Sequence, residues 1–170
     1  GIVGTISLDF LDINKLLKSI HHRGPDSMGY YKGQNKEKSK KIFLGHKRLS
    51  ILDLSSNGNQ PFYSQNKNYI LVYNGEIYNY KELKKKYLSN VKFKSNSDTE
   101  VILELFKKLG EDSFNLLNGM FSFAIYDKIK SKLYLVRDHL GIKPLYYYFD
   151  KNNLYFSSEI KSFKYIKNID

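Results

Sequence analysis

The run Tyr69-Ile70-Leu71-Val72-Tyr73-Asn74-Gly75-Glu76-Ile77-Tyr78-Asn79-Tyr80 decides the fold class. It places Asn-Gly, the strongest hairpin dipeptide, between two segments rich in β-branched and aromatic residues. The pattern predicts strands at residues 69–73 and 76–78, joined by a type I′ turn at Asn74 and Gly75. The pair has a second interpretation, since an Asn amide and a Gly backbone N–H are donors that can stabilise a developing oxyanion.

On both sides of this run the sequence alternates between strand and helix patterns. Strands are predicted at residues 1–8, 28–31, 42–46, 121–126, 132–137, 145–149 and 154–157. Apolar residues at helical spacing predict helices at 12–20 and 97–109, with shorter ones at 81–87, at 112–117 and from Ser158 onward. Because many strands follow one another in hairpin order, the fold is predicted to be α+β, with antiparallel sheets covered by helices.

Composition limits the kind of protein. A chain of 170 residues is long enough for one domain with a substantial core. With no cysteine it has neither disulfides nor thiolate metal sites, and its four histidines lack metal-ligand spacing. No apolar run reaches membrane-spanning length and no signal-peptide pattern is present, so a cytoplasmic chain is expected. The net charge of +11 comes from scattered lysines, which favours a solvated surface over nucleic-acid or membrane binding.

Arginine is rare among the basic residues. Of 28 lysines and arginines, only Arg23, Arg48 and Arg137 are arginine, and each lies in a compact, turn-like stretch. A planar guanidinium grips a carboxylate or phosphate with two parallel hydrogen bonds, which lysine cannot do. A buried structural salt bridge is the alternative at each position.

Ser97-Asp98-Thr99-Glu100 precedes a strongly apolar helical segment. Ser97 and Glu100 fit a capping box, which places Asp98 in the first helical turn. The alternative is that Asp98 points into a pocket and binds an ammonium group. An arginine for a carboxylate, acids for an amine and an Asn-Gly pair for an oxyanion together suit an α-amino acid whose side-chain carbonyl is attacked.

These stretches and several others resemble one family along essentially the whole chain. In the same order, the class II glutamine amidotransferase domain carries motifs similar to Gly1-Ile2-Val3-Gly4, His22-Arg23-Gly24-Pro25-Asp26, His46-Lys47-Arg48-Leu49-Ser50-Ile51-Leu52-Asp53, Gln60-Pro61, Tyr73-Asn74-Gly75-Glu76-Ile77-Tyr78-Asn79, Ser97-Asp98-Thr99-Glu100-Val101-Ile102, Gly119-Met120-Phe121-Ser122-Phe123-Ala124, Arg137-Asp138-His139-Leu140-Gly141-Ile142-Lys143-Pro144-Leu145-Tyr146-Tyr147 and Ser157-Ser158-Glu159-Ile160-Lys161. The motifs Arg-Leu-Ser-Ile and Asn-Gly-Glu-Ile-Tyr-Asn favour one branch of this class, the glutamine-hydrolysing asparagine synthetases.

The resemblance implies an N-terminal-nucleophile fold of four layers, αββα, with two antiparallel sheets flanked by helices. Residues 1–170 would form the glutaminase domain, which hydrolyses L-glutamine and passes ammonia to a C-terminal synthetase domain outside this chain. It implies no cofactor or metal here, with ATP and magnesium used only by the synthetase domain. Nucleic acid and membrane are not expected partners, and the resemblance allows a homodimer.

The resemblance also implies a role for each site residue. Positions matching Asn74 and Gly75 hold the oxyanion, the position matching Arg48 binds the substrate carboxylate, and the backbone of Leu49, Ser50, Ile51 and Leu52 completes the pocket. Positions matching Glu76 and Asp98 bind the substrate ammonium.

One departure concerns the nucleophile. In the family a cysteine with a free α-amine immediately precedes Gly-Ile-Val-Gly, whereas this sequence starts at Gly1. We expect the natural protein to carry that cysteine and the polypeptide as written to be inactive. The alternatives are a non-catalytic glutamine-binding relic and a basic nucleic-acid binder. The sequence leaves the final ammonia acceptor open, between aspartate and another carboxylate.

Overall fold

The computed structural model describes residues 1–9, 11–49, 58–150 and 152–166. The strands among them are β1 (Ile2–Ser7), β2 (Ser27–Gln34), β3 (Lys41–Arg48), β4 (Phe62–Tyr63), β5 (Tyr69–Ile77), β6 (Gly119–Asp127), β7 (Lys132–Arg137), β8 (Tyr146–Phe149) and β9 (Leu154–Ser157). The α-helices are α1 (Ile13–Ser19), α2 (Tyr80–Tyr87) and α3 (Asp98–Leu109). Short 3₁₀ helices cover His21–Arg23, Gly110–Leu116 and Ile160–Tyr165.

The strands form two antiparallel sheets, which confirms the predicted α+β class. The first sheet has the order β2-β3-β1-β9-β8, and the second has the order β4-β5-β6-β7. β1 lies at the centre of the first sheet, paired with β3 on one side and β9 on the other. The first strand of the chain therefore runs through the middle of the molecule, and Gly1 lies at its start.

Three apolar clusters show that the sheets and helices stack in four layers, as predicted. The middle cluster lies between the sheets and joins Ile2, Leu44 and Phe156 of the first to Val72 and Ala124 of the second. A second cluster packs α1 on the outer face of the first sheet. The third and largest packs α2 and α3 on the outer face of the second sheet. The order of layers is therefore helix, sheet, sheet, helix.

The hairpin predicted at Asn74 and Gly75 is wrong. β5 runs without a break from Tyr69 to Ile77, and all nine of its residues pair with β6, including Asn74 with Ser122 and Gly75 with Phe121. Long-range pairing therefore overrides the local preference of the dipeptide. Glycine is required for another reason: a Cβ at Gly75 would lie 2.1 Å from the Met120 carbonyl oxygen, and its φ is +155°.

Several element boundaries also differ from prediction. β4, only two residues long, was not predicted, and β2 and β3 are longer than their patterns indicated. The segments expected to be helical at 112–117 and after Ser158 form 3₁₀ helices. No helix among the described residues is long and apolar enough to cross a membrane.

The start of α3 is capped, but not by the predicted capping box. The Ser97 hydroxyl accepts a hydrogen bond from the Thr99 N–H at 3.0 Å, which is the N-cap role. Glu100 does not reach back to Ser97. Its carboxylate instead accepts bonds from the backbone N–H groups of Lys94 and Ser95 and from the Ser95 hydroxyl. Asp98 does lie in the first turn, as predicted.

Candidate functional site

A cavity of about 380 Å³ opens where β1 begins and β3 ends, between the two sheets. Six of the predicted site residues line it: Arg48, Leu49, Asn74, Gly75, Glu76 and Asp98. Three other predicted residues, Ser50, Ile51 and Leu52, lie outside the described residues. The structure therefore brings together residues from β3, β5 and α3 that are up to fifty positions apart in the sequence.

The two sides of the cavity carry opposite charge. Arg23, Lys47 and Arg48 line it from the first sheet and its flanking segment, and Lys143 lines it from the loop between β7 and β8. Glu76 on β5 and Asp98 at the start of α3 are the lining acids, on the side of the second sheet. A ligand with both a negative and a positive group can be paired at both ends in such a cavity.

Arg48 is held in place although it lines the cavity. It is 8% exposed, and its Nη1 donates to the Asn59 side-chain oxygen at 2.9 Å. Its carbonyl oxygen accepts a bond from the Asp26 N–H at 3.1 Å, which fixes the end of β3. The guanidinium is thus oriented by protein contacts before any ligand arrives.

The other two arginines have different surroundings. Arg137 lies outside the cavity lining, and its guanidinium donates to the carbonyl oxygens of Gly141 and Lys143. Arg23 lines the cavity and contacts Glu159 at 3.5 Å. Arg137 therefore makes neither the predicted grip on a carboxylate or phosphate nor a buried salt bridge; its guanidinium holds a backbone loop through two separate carbonyl groups.

Asn74 offers an unused donor at the cavity. Its Nδ2 is buried and has no hydrogen-bond partner within the described part of the chain. A buried amide N–H without an acceptor costs about 1–3 kcal/mol. Such a group is uncommon in folded proteins and points to a ligand acceptor that is bound during function.

The backbone N–H of Gly75 points in a direction that is fixed by its neighbours. Successive N–H groups of a strand point to opposite edges. Tyr73 donates its N–H to the Gln60 side chain at 2.6 Å, and Ile77 donates its N–H to Asp98 at 2.9 Å, both away from β6. The Gly75 N–H lies between them on the same edge of β5, where Gly75 lines the cavity.

Asp98 is a buried carboxylate with few donors. It is 3% exposed, and one of its oxygens, Oδ2, accepts both of its short hydrogen bonds, from the Tyr73 hydroxyl at 2.6 Å and from the Ile77 N–H. Burial raises the pKa of Asp98 above its ordinary value. The bonds from Tyr73, Ile77 and Thr99 oppose that rise without cancelling it, and the nearby charge of Glu76 adds to it. A cation between Asp98 and Glu76 would relieve both effects.

The start of β1 forms part of the same cavity. The Gly1 nitrogen donates to the Lys47 carbonyl oxygen at 2.7 Å, and the Gly1 carbonyl accepts a bond from the Lys47 N–H. Burial, reinforced by the charges of Arg23 and Lys143, lowers the pKa of the Gly1 amine to about 5, while Glu159 acts in the opposite direction. A residue joined to this nitrogen would start at the cavity wall.

Several lining residues were given no role from the sequence. His46 is buried, and burial, followed by the charges of the Gly1 amine and Arg48, holds the pKa of its imidazole well below the usual value. Tyr73, Gln60 and Lys143 also line the cavity. All four lie within the motifs quoted above, and their place in those motifs is the sequence signal that could have identified them as part of the site. In the described ranges, no group of three or more histidine or acidic side chains is arranged to hold a metal.

Two solved structures have the same fold as this chain. Bacillus subtilis glutamine phosphoribosylpyrophosphate amidotransferase, complexed with ADP and GMP, superposes with a TM-score of 0.77 at 23% identity, over 96% of this chain and 43% of that one. An allosteric regulatory enzyme of purine biosynthesis gives 0.76, also at 23% identity, over 97% of this chain and 43% of that one. The predicted fold is confirmed.

Sequence comparison then defines the family. The chain belongs to the glutamine amidotransferase domain family, whose sequence profile matches residues 1–170. It is 44% identical over 170 residues to asparagine synthetase (glutamine-hydrolysing) 2 of Bacillus subtilis, covering 95% of this chain and 22% of the relative. It is 42% identical over 153 residues to asparagine synthetase B (glutamine-hydrolysing) of Escherichia coli, covering 89% of this chain and 26% of the relative. The resemblance found from the motifs is thereby confirmed, and the chain spans about a quarter of the length of these relatives.

Proposed function

We propose that this domain hydrolyses L-glutamine to glutamate and ammonia, and that the ammonia passes to a synthetase domain of the same protein. The observation that carries the proposal is the unpartnered Asn74 amide next to the Gly75 N–H, both at a cavity with oppositely charged sides. Family membership supports the same activity. ATP and magnesium would act in the synthetase domain, with no cofactor in this one.

The charged sides give the substrate one orientation. The α-carboxylate of glutamine would pair with Arg48, whose planar guanidinium suits a carboxylate. The α-ammonium would lie between Glu76 and Asp98. With both ends fixed, the side-chain amide of glutamine reaches toward Asn74, Gly75 and Gly1, which line the same cavity.

The reaction then proceeds by attack on the amide carbon. The attacking thiol belongs to a cysteine joined to Gly1, as the family resemblance implies, and its own α-amine takes the thiol proton. The carbonyl oxygen becomes an oxyanion, which accepts hydrogen bonds from the Asn74 side chain and the Gly75 N–H. The C–N bond breaks, the nitrogen takes the proton and leaves as ammonia, and water hydrolyses the thioester to glutamate.

The test is Asn74→Asp in the polypeptide extended by an N-terminal cysteine. Aspartate removes the amide donor and places a negative charge beside the oxyanion, so turnover should fall about 10²–10³-fold, or roughly 2.7–4 kcal/mol. The KM for glutamine should stay within a few-fold, since the groups for the carboxylate and ammonium remain. Ammonia release and a thermal melting curve measure both effects.

The matched control is Asn118→Asp, which makes the same change at an exposed residue just before β6. It should leave turnover within about two-fold. Near-normal turnover in a folded Asn74→Asp protein would show that Asn74 is not an oxyanion donor. If the cysteine-extended polypeptide binds glutamine without releasing ammonia, the domain is a glutamine-binding relic.

A further inference from the structure

The hydroxyl of Tyr73 is buried next to the cavity and makes one short contact. Tyr73 is 3% exposed on β5, and its side chain points to the α3 face of the second sheet, where it joins the apolar cluster there. Its hydroxyl donates to Asp98 Oδ2 at 2.6 Å, a distance typical of a charge-assisted bond. Its backbone N–H is fixed in turn by the Gln60 side chain. The phenol is therefore rigidly placed relative to α3.

The two oxygens of Asp98 have unequal surroundings. Oδ2 accepts both short bonds, from Tyr73 and from the Ile77 N–H. Oδ1 has a long contact of 3.5 Å with the Ser97 hydroxyl, and the Thr99 N–H is a third, backbone donor to the carboxylate. Tyr73 is thus the one side chain that makes a short bond to this carboxylate among the described residues, and it fixes the orientation of Oδ2.

We propose that Tyr73 is the positioning residue of an ammonium subsite, and that its hydroxyl keeps the Asp98 carboxylate ionised and oriented toward the α-ammonium of the substrate. This rests on the proposed glutaminase function. Asp98 is buried and lies near another carboxylate, that of Glu76, so it needs hydrogen-bond donors to stay ionised. Without the Tyr73 hydroxyl, the donors to this carboxylate in the described part of the chain would be the backbone N–H groups of Ile77 and Thr99 and the distant Ser97 hydroxyl.

The role predicts a specific kinetic pattern for Tyr73→Phe in the cysteine-extended polypeptide. The KM for glutamine should rise about ten-fold while kcat changes less than about three-fold, because the lost bond acts on substrate binding and not on the oxyanion. The rise in KM should grow as the pH falls from 8 to 5. Removing a donor raises the pKa of the carboxyl, so more of the variant's Asp98 is protonated at acidic pH.

Two comparisons separate positioning from packing. Tyr134→Phe removes a hydroxyl from the same apolar cluster at a residue that does not line the cavity, and it should leave KM and its pH profile unchanged. In a double-mutant cycle, Tyr73→Phe should cause no further loss of affinity once Asp98 is Asn. Equal KM increases in both backgrounds, or a pH-independent increase, would overturn the proposal.

The outcomes also distinguish this inference from the function on which it rests. If Asp98→Asn weakens glutamine binding and Tyr73→Phe does not, the ammonium subsite stands and Tyr73 has only a packing role. If the polypeptide with its native Asp98 neither binds nor hydrolyses glutamine, the proposed function itself fails.

Discussion

Two buried aspartates, Asp98 and Asp138, show how the same side chain is used differently at the cavity and at the corner after β7. Both side chains are shielded from solvent, at 3% and 5% exposure, but Asp98 lies deep in the protein and Asp138 lies close to its surface. Asp138 accepts bonds at both oxygens: Ile142 N–H to Oδ1 at 2.8 Å, and Phe121 and Lys143 N–H to Oδ2 at 3.2 and 2.9 Å. At Asp98, both short bonds go to one oxygen.

The difference appears in the pKa values. Burial alone would raise both. At Asp138 the backbone bonds from Lys143, Ile142, Phe121 and Leu140 outweigh burial, and the pKa is lowered. At Asp98 burial prevails and the pKa is raised. A carboxylate near the surface with four backbone donors stabilises the fold, whereas a deeper one with fewer donors gains from a cationic ligand.

The largest effect that this comparison predicts is on stability, for Asp138→Asn. Because both carboxylate oxygens accept backbone bonds, either orientation of the amide turns its NH₂ toward at least one N–H. Each buried donor left unsatisfied costs about 1–3 kcal/mol, so the free energy of unfolding should fall by about 3 kcal/mol. Urea unfolding measures this. Glutamine affinity of the folded protein should stay within a few-fold. A loss of stability of less than about 0.5 kcal/mol would contradict the structural role that distinguishes Asp138 from Asp98.

The same substitution at the cavity, Asp98→Asn, should act on binding. The amide oxygen can take the place of Oδ2 and accept from both Tyr73 and Ile77, so stability should change by less than about 1 kcal/mol. The substrate ammonium, however, loses a charged partner worth about 1.5–3 kcal/mol, so glutamine affinity should fall at least ten-fold. Isothermal titration calorimetry and urea unfolding measure the two effects. Unchanged affinity would mean that Asp98, like Asp138, is a structural residue.

The fold was predictable because its signals are repeated along the chain. Alternating apolar runs in hairpin order indicated the antiparallel sheets, and helical spacing indicated α1 and α3. The predictions that failed were those of local structure. Asn74-Gly75 favours a turn when considered alone, but pairing of β5 with β6 over nine residues outweighs that preference. β4, only two residues long, depends on pairing with β5 and leaves no pattern of its own.

The site was predictable where residue type indicates chemistry. Arg48, Asn74 and Asp98 are the residues expected for a carboxylate, an oxyanion and an ammonium, and the structure brings them to one cavity; their roles stay predictions. Tyr73 could not be identified in this way. A strand aromatic normally indicates packing, and its contact with Asp98 joins β5 to a helix twenty-five residues later.

The smallest predicted effect is the sharpest test of the comparison, since the two aspartates should change stability in opposite directions with pH. An unfolded aspartate titrates near 3.8. The folded pKa of Asp138 is lower, so its stabilisation is complete above 3.8 and is lost as the pH falls through the folded value. The folded pKa of Asp98 is higher, so its contribution decreases as the pH rises from 3.8 through the folded value.

Comparing the wild type with each Asn variant isolates these terms, because the groups that titrate elsewhere in the molecule are the same in both proteins of a pair and cancel. Urea unfolding between pH 7 and 3.5 gives the difference in free energy of unfolding, wild type minus variant. On acidification this difference should rise for Asp98→Asn and fall for Asp138→Asn. Slopes of the same sign would mean that burial depth and hydrogen-bond donors do not distinguish the two carboxylates, and Asp98 would then have no need of an ammonium partner.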